Sequence, residues 1–457
     1  MFDNFKNFQK RIAFFDNDLK ISYGDIINFS KKLNKFLKKK SLVLLVISNS
    51  IEGLKIYSSL IKNNNTTIIL DESLGEKFIL EIAKKYKVNF IFYPNNILKN
   101  SGQKNLINST NYKCIKENNF DHKINKQNLI LLTTSGTTSN PKLVRISNQN
   151  LNFNCEKIID SLMIKKSHIT CTSLPSGFAF GLSIINTHLS IGSRIFVTKK
   201  SIVEKSFWED LSKFKITSLY GVPATFKFLC LSKLYNKISK NLKYIAQAGG
   251  KLENKFIDDL IEYSKKNKKD FYVMYGQTEA SPRISCLNVV KNQDKRLSIG
   301  KPFKDTFIKL KSSKQIEKKF FKEFVFYGKN VCLGYAKSFK DLEKGDMLFG
   351  KLNTGDYGYI DKDGFFYIAG RIKKFSKING LRIDLNDVEK FLKNRKIKSE
   401  TIIDNNFLKL NLQNKFLIDK VKIMLSKEYK INKNYIICLH KPNLKTSIKK
   451  KSWKNFL

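Results

Sequence analysis

Short apolar runs alternate with amphipathic segments near the start of the chain. The runs at 42–48, 66–70 and 88–93 have the length and composition of buried strands, and the segments 51–62 and 75–87 between them place apolar residues at helical spacing. Parallel strands need crossover connections that are usually helical. This βαβαβ order therefore predicts a parallel sheet covered by helices.

The same alternation returns in the middle of the chain. Further strand-like runs, with helical patterns between most of them, lie at 168–174, 194–198, 216–220, 243–248 and 271–275. They extend the prediction of helix-covered, mostly parallel sheets over a large N-terminal region.

A β-rich pattern replaces this alternation at about 300–371. Short alternating runs joined by turns lie at 323–328 and 357–370, and a similar run follows at 375–384. The DKDG segment predicts a hairpin turn in which Gly364 takes a position that allows positive φ. We expect this stretch to form a small β-rich subdomain.

The end of the chain alternates helix and strand once more, with a helical pattern at 385–393 and strand-like runs at 407–412 and 434–440. A chain of 457 residues is too long for one ordinary domain. The fold class predicted is α/β, with an N-terminal domain at 1–371 followed by a small α+β domain at 372–457.

The formal net charge is +46, which raises the question of a nucleic-acid partner. Lysine is spread from end to end alongside frequent Asn, Ile and Phe, whereas a nucleic-acid footprint clusters on one element or face. We therefore expect no specific nucleic-acid binding.

The spacing of the cysteines and the hydropathy of the chain indicate in which cellular compartment the protein is expected. The seven cysteines are scattered without CxxC or Cys/His ligand spacing, which predicts free thiols. The start of the chain lacks the pattern of a signal peptide, and the longest apolar run, 42–47, is shorter than the ~18 residues that suggest a membrane span. We expect a cytoplasmic protein with no membrane span.

A loop of small hydroxyl residues and glycine lies in LLTTSGTTSNPKLV, residues 131–144. Backbone N–H groups and hydroxyls bind phosphate oxygens, glycine lets the backbone approach closely, and Lys142 supplies a point charge. The loop is not a Walker A motif, because Lys142 follows a proline. Taken alone, it is as consistent with a surface loop as with phosphate binding.

Three further motifs follow in order: YGQTEAS at 275–281, NTGD at 353–356 and GRIKKFSKINGLRID at 370–384. Together with the hydroxyl-rich loop they resemble the adenylate-forming superfamily, which includes acyl-CoA synthetases, the adenylation domains of peptide synthetases and firefly luciferase. Smaller similarities extend the resemblance over nearly the whole chain, at 220–225, 247–252, 300–302 and 330–335.

The resemblance implies an ATP site and assigns residues to it. Lys142 and the loop hydroxyls would hold the β- and γ-phosphates, and Thr278 would contact the α-phosphate. Glu279 would hold Mg²⁺, which prefers carboxylate oxygens. The residues implied to bind ATP or AMP are Thr134, Ser135, Gly136, Thr137, Thr138, Lys142, Gly249, Gly250, Tyr275, Gly276, Gln277, Thr278, Asp356 and Arg371.

Adenosine would be held by Tyr275, Asp356 and Arg371. Tyr275 offers a flat face to adenine, and the Asp356 carboxylate can accept both ribose hydroxyls with Arg371 nearby. Considered singly, Tyr275 equally suits core packing at a strand end, and Asp356 suits a turn. The acyl pocket implied by the resemblance is lined by Phe178 together with Gly249 and Gly250.

The C-terminal region is implied to supply a second catalytic residue and a hinge. The family ends in a motif like PxTxxGK, and in LKTSIKKKSW Thr446 matches its threonine, Lys449 replaces its glycine and Lys450 falls on its lysine. A register in which Lys449 or Lys451 takes this place, or a solvated basic tail, is the alternative. The hinge would be Lys373.

Two half-reactions are implied. Lys450, Thr278 and Glu279 would catalyse formation of an acyl-adenylate from ATP and a carboxylic acid. The small domain would then rotate, so that a set of three residues serves attack by a thiol, with CoA as the expected acceptor: Lys377, Gly380 and Arg382.

Two alternatives remain open. The acyl group could pass to the phosphopantetheine of an acyl-carrier protein or to an amine. The chain could also be an inactive nucleotide-binding relative, since Ser139 and Lys449 stand where the family has glycine. Leu143 also replaces a glycine, which a negative φ at that position would allow.

Lys450→Ala is expected to lower acid-dependent pyrophosphate release by several orders of magnitude. A positioned charge in a dry site contributes about 3–4 kcal/mol, and loss of closure geometry adds to this. The same variant should convert a supplied acyl-adenylate and thiol to thioester at a rate near that of the wild type.

Two sets of control variants accompany this prediction, one in the segment after the hinge and one at the lysines next to Lys450. Lys377→Ala and Gly380→Leu should spare adenylation and block thioester formation. If Lys449→Ala rather than Lys450→Ala abolishes adenylation, the register is off by one. If Lys449, Lys450 and Lys451 are all dispensable, the tail carries no catalytic lysine.

Overall fold

The computed structural model describes most of the chain. The described residues are 2–37, 41–98, 105–107, 109–133, 142–234, 240–316, 319–371, 375–378, 381–404 and 407–441.

The α-helices of the described part alternate with strands as the sequence predicts. They are α1 (Tyr23–Leu33), α2 (Ile51–Lys62), α3 (Glu76–Tyr86), α4 (Asn148–Leu162), α5 (Ala179–Ser190), α6 (Lys205–Lys213), α7 (Pro223–Leu231), α8 (Asn254–Lys266), α9 (Leu385–Asn394) and α10 (Ile418–Tyr429).

The strands fall into two series. Those before residue 303 are β1 (Ile12–Phe15), β2 (Lys20–Ser22), β3 (Val43–Ile47), β4 (Thr67–Asp71), β5 (Phe90–Pro94), β6 (Tyr112–Lys116), β7 (Ile130–Thr133), β8 (Leu143–Ile146), β9 (Ile169–Cys171), β10 (Arg194–Phe196), β11 (Ser218–Gly221), β12 (Tyr244–Gln247), β13 (Asp270–Tyr275), β14 (Ser285–Asn288) and β15 (Lys301–Pro302). Those after it are β16 (Phe307–Ile316), β17 (Lys319–Tyr327), β18 (Gly334–Ala336), β19 (Lys351–Ile360), β20 (Phe366–Arg371), β21 (Phe375–Ile378), β22 (Leu381–Asp384), β23 (Ser399–Asp404), β24 (Phe407–Leu412) and β25 (Ile436–His440).

Two large sheets form the N-terminal region. The first has the order β15-β14-β13-β12-β11-β9-β10-β1-β2, with a parallel block from β13 to β1. The second has the order β18-β8-β7-β4-β3-β5-β6, with β7, β4, β3 and β5 parallel. The predicted βαβαβ unit is confirmed as β3-α2-β4-α3-β5.

Local signals explain where α2 begins and ends. Ser50 caps its N-terminus by accepting a hydrogen bond from Gly53 N, and Lys62 lies in the last turn, where a cation interacts favourably with the helix dipole. Most of its side chains are buried, because the helix lies between the two sheets.

The helices fill three layers around the two sheets. One core joins the facing sides of both sheets with residues of α1, α2 and α5. A second core packs the other face of the first sheet on α6, α7 and α8, and a third packs the second sheet on α3. The result is a helix–sheet–helix–sheet–helix arrangement, in agreement with the predicted fold class.

A third sheet is the predicted β-rich part. It is an antiparallel meander in the order β16-β17-β19-β20. The predicted DKDG hairpin joins β19 to β20, and Gly364 takes a φ of +82°. The expectation that Asp356 lies on a turn is wrong, because this residue is in the middle of β19, buried and paired across the sheet with Arg371.

The C-terminal residues have a hydrophobic core of their own. The β21–β22 pair, the three-stranded sheet β23-β24-β25 and the helices α9 and α10 contribute to it. Lys430, which follows α10, donates a hydrogen bond to the carbonyl oxygen of Leu74. The division of the chain at residues 371 and 372 stays a prediction.

Two smaller expectations can be compared with the structure. All seven cysteines are free thiols, as predicted. Within the described residues, no helix has both the length and the apolar character that crossing a membrane requires.

Candidate active site

Loops that follow parallel strands of the first sheet gather at one edge. The strands β9, β11, β12 and β13 are parallel neighbours and end at Cys171, Gly221, Gln247 and Tyr275. The carboxyl ends of parallel strands are where α/β proteins bind ligands. Phe178, Gly249, Gly250 and the YGQTE motif lie in or next to the loops after these strands.

The YGQTE motif continues into a closed loop, residues 276–284, between β13 and β14. Ile284 N donates to Tyr275 O at 2.8 Å, which closes the loop at its base. A Cβ atom on Gly276 would collide with the carbonyl oxygen of Pro282, so this position requires glycine. Thr278 and Glu279 lie in a short 3-10 turn at the far side of the loop.

Two buried asparagines hold this loop from outside. Asn330 Nδ2 donates to Ala280 O at 2.9 Å and to Arg283 O at 2.7 Å. Asn154 Nδ2, on α4, donates to the same Arg283 carbonyl at 2.8 Å. Both amides are almost fully buried, so the loop backbone has its hydrogen bonds satisfied away from water.

A lysine, a tyrosine and a glutamate link the second sheet to this loop. The Lys142 Nζ lies 3.3 Å from the centroid of the Tyr335 ring, and the Tyr335 hydroxyl donates to Glu279 Oε1 at 2.8 Å. Tyr335 is positioned by its strand β18, which pairs with β8 next to Lys142. The predicted phosphate-loop lysine and the predicted Mg²⁺ carboxylate are therefore brought to one place.

Glu279 suits a magnesium ion that is held largely by other ligands. It is 6% exposed, and only one of its oxygens is engaged by Tyr335. Among the residues that the structure describes, there is no group of three or more His, Cys, Asp or Glu side chains arranged to hold a metal. A single carboxylate fits Mg²⁺, which commonly takes its other ligands from phosphates and water.

The third sheet approaches the first sheet at Tyr275. The Tyr275 hydroxyl lies 2.5 Å from Asp356 Oδ2 and donates to it, and Gln277 Nε2 lies 3.5 Å from Thr354 O. The backbone N–H of Asp356 donates to the hydroxyl of Thr354 at 3.1 Å, which fixes the backbone position of the aspartate. Arg371 stands opposite Asp356 in the strand pairing, and the predicted contact of this pair with a ribose stays a prediction.

The predicted acyl-pocket residues lie at the same edge. Phe178 precedes α5 and is half-buried, and Gly249 takes a φ of +90° in the turn after β12. That turn is held by Gln247 Nε2, which donates to Gly250 O at 2.7 Å. Gly250 is exposed, so it lies at the rim.

Some predicted site residues cannot be located. Thr134, Ser135, Gly136, Thr137, Thr138, Ser139, Lys373, Gly380, Lys449, Lys450 and Lys451 lie outside the described residues. Lys377 and Arg382 face each other in the β21–β22 pairing. Leu143 begins β8 and is buried, so its strand conformation accommodates the side chain that replaces glycine.

Tyr335 is the residue in this linkage that sequence reasoning missed. It is the last residue of NVCLGY, one of the smaller similarities, but no local pattern indicates a contact with residues so far away in the chain. Its role emerges from the pairing of β18 with β8 and from the position of the 276–284 loop.

The family of the chain follows from comparison with known proteins. The AMP-binding enzyme family matches residues 1–335, which is most of the chain. The chain therefore belongs to the AMP-binding enzymes, and the predicted membership of the adenylate-forming superfamily is confirmed.

Individual relatives are similar over part of their length. The D-alanine–D-alanyl carrier protein ligase of Lactococcus lactis is 30% identical over 289 residues, 60% of this chain and 54% of the relative. The probable 4-coumarate–CoA ligase 3 of Dictyostelium discoideum is 29% identical over 275 residues, 59% of this chain and 49% of the relative. The chain spans about half the length of these curated relatives.

Solved structures show the same fold. The o-succinylbenzoate CoA synthetase of Bacillus subtilis, bound to a product analogue, superposes with a TM-score of 0.73 at 18% identity over 98% of this chain and 95% of that one. The same enzyme in complex with ATP and a magnesium ion superposes with a TM-score of 0.64 at 18% identity over 94% and 93%.

Asp356→Ala is expected to weaken ATP binding by about 1.5–3 kcal/mol, because it removes a charged acceptor for the ribose hydroxyls. The dissociation constant can be measured by calorimetry. Since Asp356 is buried, the free energy of unfolding should be measured alongside. Tyr275→Phe is the matched control, because it removes only the hydroxyl that Asp356 accepts. An unchanged dissociation constant in Asp356→Ala means that the ribose is bound elsewhere.

Gly276→Ala is expected to displace the 276–284 loop, because the new methyl group collides with the Pro282 carbonyl. Displacement of Thr278 and Glu279 by about 1 Å should lower the adenylation rate by roughly 100-fold. Gly345→Ala is the control, since its Cβ would lie 3.6 Å from the nearest atom, Asn125 Nδ2. Equal rates for the two variants would show that the loop tolerates the shift.

Proposed function

We propose that the chain activates a carboxylic acid with ATP and transfers the acyl group to a thiol, with CoA as the acceptor. The observation that carries this proposal is that Lys142 next to β8 of the second sheet, Glu279 of the loop between β13 and β14, and Asp356 of the third sheet are linked at one edge through Tyr335 and Tyr275. Membership of the AMP-binding enzymes supports it.

In the first step a carboxylate oxygen attacks the α-phosphorus of ATP. The bond from that phosphorus to the bridging oxygen breaks, and pyrophosphate leaves with the electron pair. Lys142 neutralises charge on the outer phosphates, and Thr278 donates a hydrogen bond to the α-phosphate. Glu279 would hold Mg²⁺, which would supply positive charge to stabilise the phosphate oxygens.

The protein's own residues position the nucleotide. Asp356 accepts the ribose hydroxyls, with its second oxygen oriented by the Tyr275 hydroxyl, while Arg371 pairs nearby. Tyr275 also presents its ring to adenine. Fixing the nucleotide in this way aligns the α-phosphorus with the incoming carboxylate.

In the second step a thiol sulfur attacks the carbonyl carbon of the acyl-adenylate. The thiol loses its proton, AMP leaves, and a thioester forms. Rotation of the small domain about Lys373 brings Lys377, Gly380 and Arg382 to the site, while Lys450 departs. Two easier steps replace one hard condensation.

A second acceptor has specific support. The similarity to a carrier protein ligase favours transfer to the phosphopantetheine of an acyl-carrier protein, and the similarity to a CoA ligase favours CoA. Both acceptors present the same thiol, so the adenylation step is common to the two.

The test is to incubate the protein with ATP, Mg²⁺ and a panel of carboxylic acids, with and without CoA, and to follow pyrophosphate and AMP. Acid-dependent pyrophosphate release supports adenylation, and thioester formed only with CoA supports the acceptor. Replacing CoA by a phosphopantetheinylated carrier protein separates the two acceptors. If no acid promotes pyrophosphate release although ATP binds, the chain is an inactive nucleotide-binding relative.

A further inference from the structure

A buried arginine at the end of the 276–284 loop lacks partners for its charge. Arg283 is 4% exposed, and its Nε and Nη2 atoms donate to no acceptor within the described residues. The described ionisable groups that act on it are Cys286 and Tyr220, neither of which is a carboxylate. The backbone carbonyl of Arg283 accepts hydrogen bonds from the two asparagine amides that hold the loop. Its side chain takes no part in these hydrogen bonds.

The guanidinium of Arg283 lies against an aromatic ring of α5. Its central carbon lies 4.0 Å from the centroid of the Phe180 ring, at the start of α5. Phe180 in turn contacts Tyr220, near the end of β11. Phe180 follows Phe178 by two residues, and β11 pairs with β12, which Gly249 follows, so Arg283 lies next to elements that carry the predicted acyl-pocket residues.

The two unpartnered nitrogens are chemically related. In arginine, Nε and Nη2 lie on the same edge of the guanidinium plane and point their N–H groups in parallel. That edge matches the spacing of the two oxygens of a carboxylate and binds it through two hydrogen bonds. In Arg283 this edge carries two buried N–H groups that have no acceptor among the described residues.

The charge of Arg283 persists at neutral pH. Burial lowers the pKa of its guanidinium to about 10, which is still well above neutrality. A buried cation without a counter-charge is costly, and a ligand carboxylate would remove that cost. A plain hydrocarbon chain would leave the charge uncompensated.

We infer that Arg283 binds a second carboxylate of the acid substrate, so that the substrate class is a dicarboxylic acid with one carboxyl adenylated and the other held by this arginine. This inference rests on the proposed adenylation. Phe178 and Phe180, at the start of α5, are both only half-buried.

The test compares α,ω-dicarboxylic acids of increasing length with monocarboxylic acids of the same carbon count, by pyrophosphate release with ATP and Mg²⁺. The wild type should prefer the dicarboxylic acid of the best length by about 100-fold in kcat/KM, because a polar site left unpaired rejects the analogue. Arg283→Met keeps the length and the contact with Phe180, and should lower this ratio by about 100-fold, mainly through KM. Arg283→Lys should fall between the two.

Two controls keep the result interpretable. Arg296→Met removes an arginine that pairs with Asp258 at the surface, and its selectivity ratio should equal that of the wild type. As a readout independent of turnover, the dicarboxylic acid should raise the melting temperature of the wild type in the presence of ATP and should not raise that of Arg283→Met. The wild-type preference tests the inference even if Arg283→Met fails to fold.

The possible failures are distinct. Activation of monocarboxylic acids in preference to dicarboxylic acids by the wild type overturns the role of Arg283 and leaves the proposed function intact. An equal loss for both acids in Arg283→Met also overturns it. If no acid of either series supports pyrophosphate release, the proposed function fails, and the inference fails with it.

Discussion

Two buried amide side chains hold the loop on which the rest of the site depends. The side-chain amides of Asn154 and Asn330 both donate hydrogen bonds to the carbonyl oxygen of Arg283 and to the carbonyl oxygen of Ala280. A buried carbonyl left without a donor costs about 1–3 kcal/mol. Because these bonds come from α4 and from the approach to β18, the 276–284 loop can take its shape only when the first and second sheets are docked.

The candidate site is therefore a product of tertiary assembly. Glu279 on this loop accepts a hydrogen bond from Tyr335 of the second sheet, and the Lys142 ammonium lies over the Tyr335 ring. Tyr275, at the base of the loop, donates a hydrogen bond to Asp356 of the third sheet. Residues separated by long stretches of chain meet at one edge. Displacement of any one of the three sheets would separate the charged side chains of the candidate site.

Sequence periodicity was sufficient for elements whose own burial dictates them, such as α2 at 51–62. Periodicity was insufficient where pairing with a neighbouring strand determines the local structure. Asp356 lies in NTGD, a composition typical of turns, yet cross-strand pairing in β19 overrides that local preference. The motifs located Glu279 and Lys142, because chemistry requires those residue types. Tyr335 and Arg283 could not be found in this way, since their significance lies in contacts made only after folding.

The backbone of the 276–284 loop is stabilised by amides that belong to other parts of the chain, and this separates two demands on the loop. The asparagine amides bind the backbone carbonyl at position 283, whereas the inferred contact with the acid is made by the side chain. Over evolutionary time, a family with this construction can exchange one acid for another by a substitution at such a position, with the phosphate chemistry and the stability of the fold left nearly undisturbed. Diversity of substrates then accumulates on a conserved reaction.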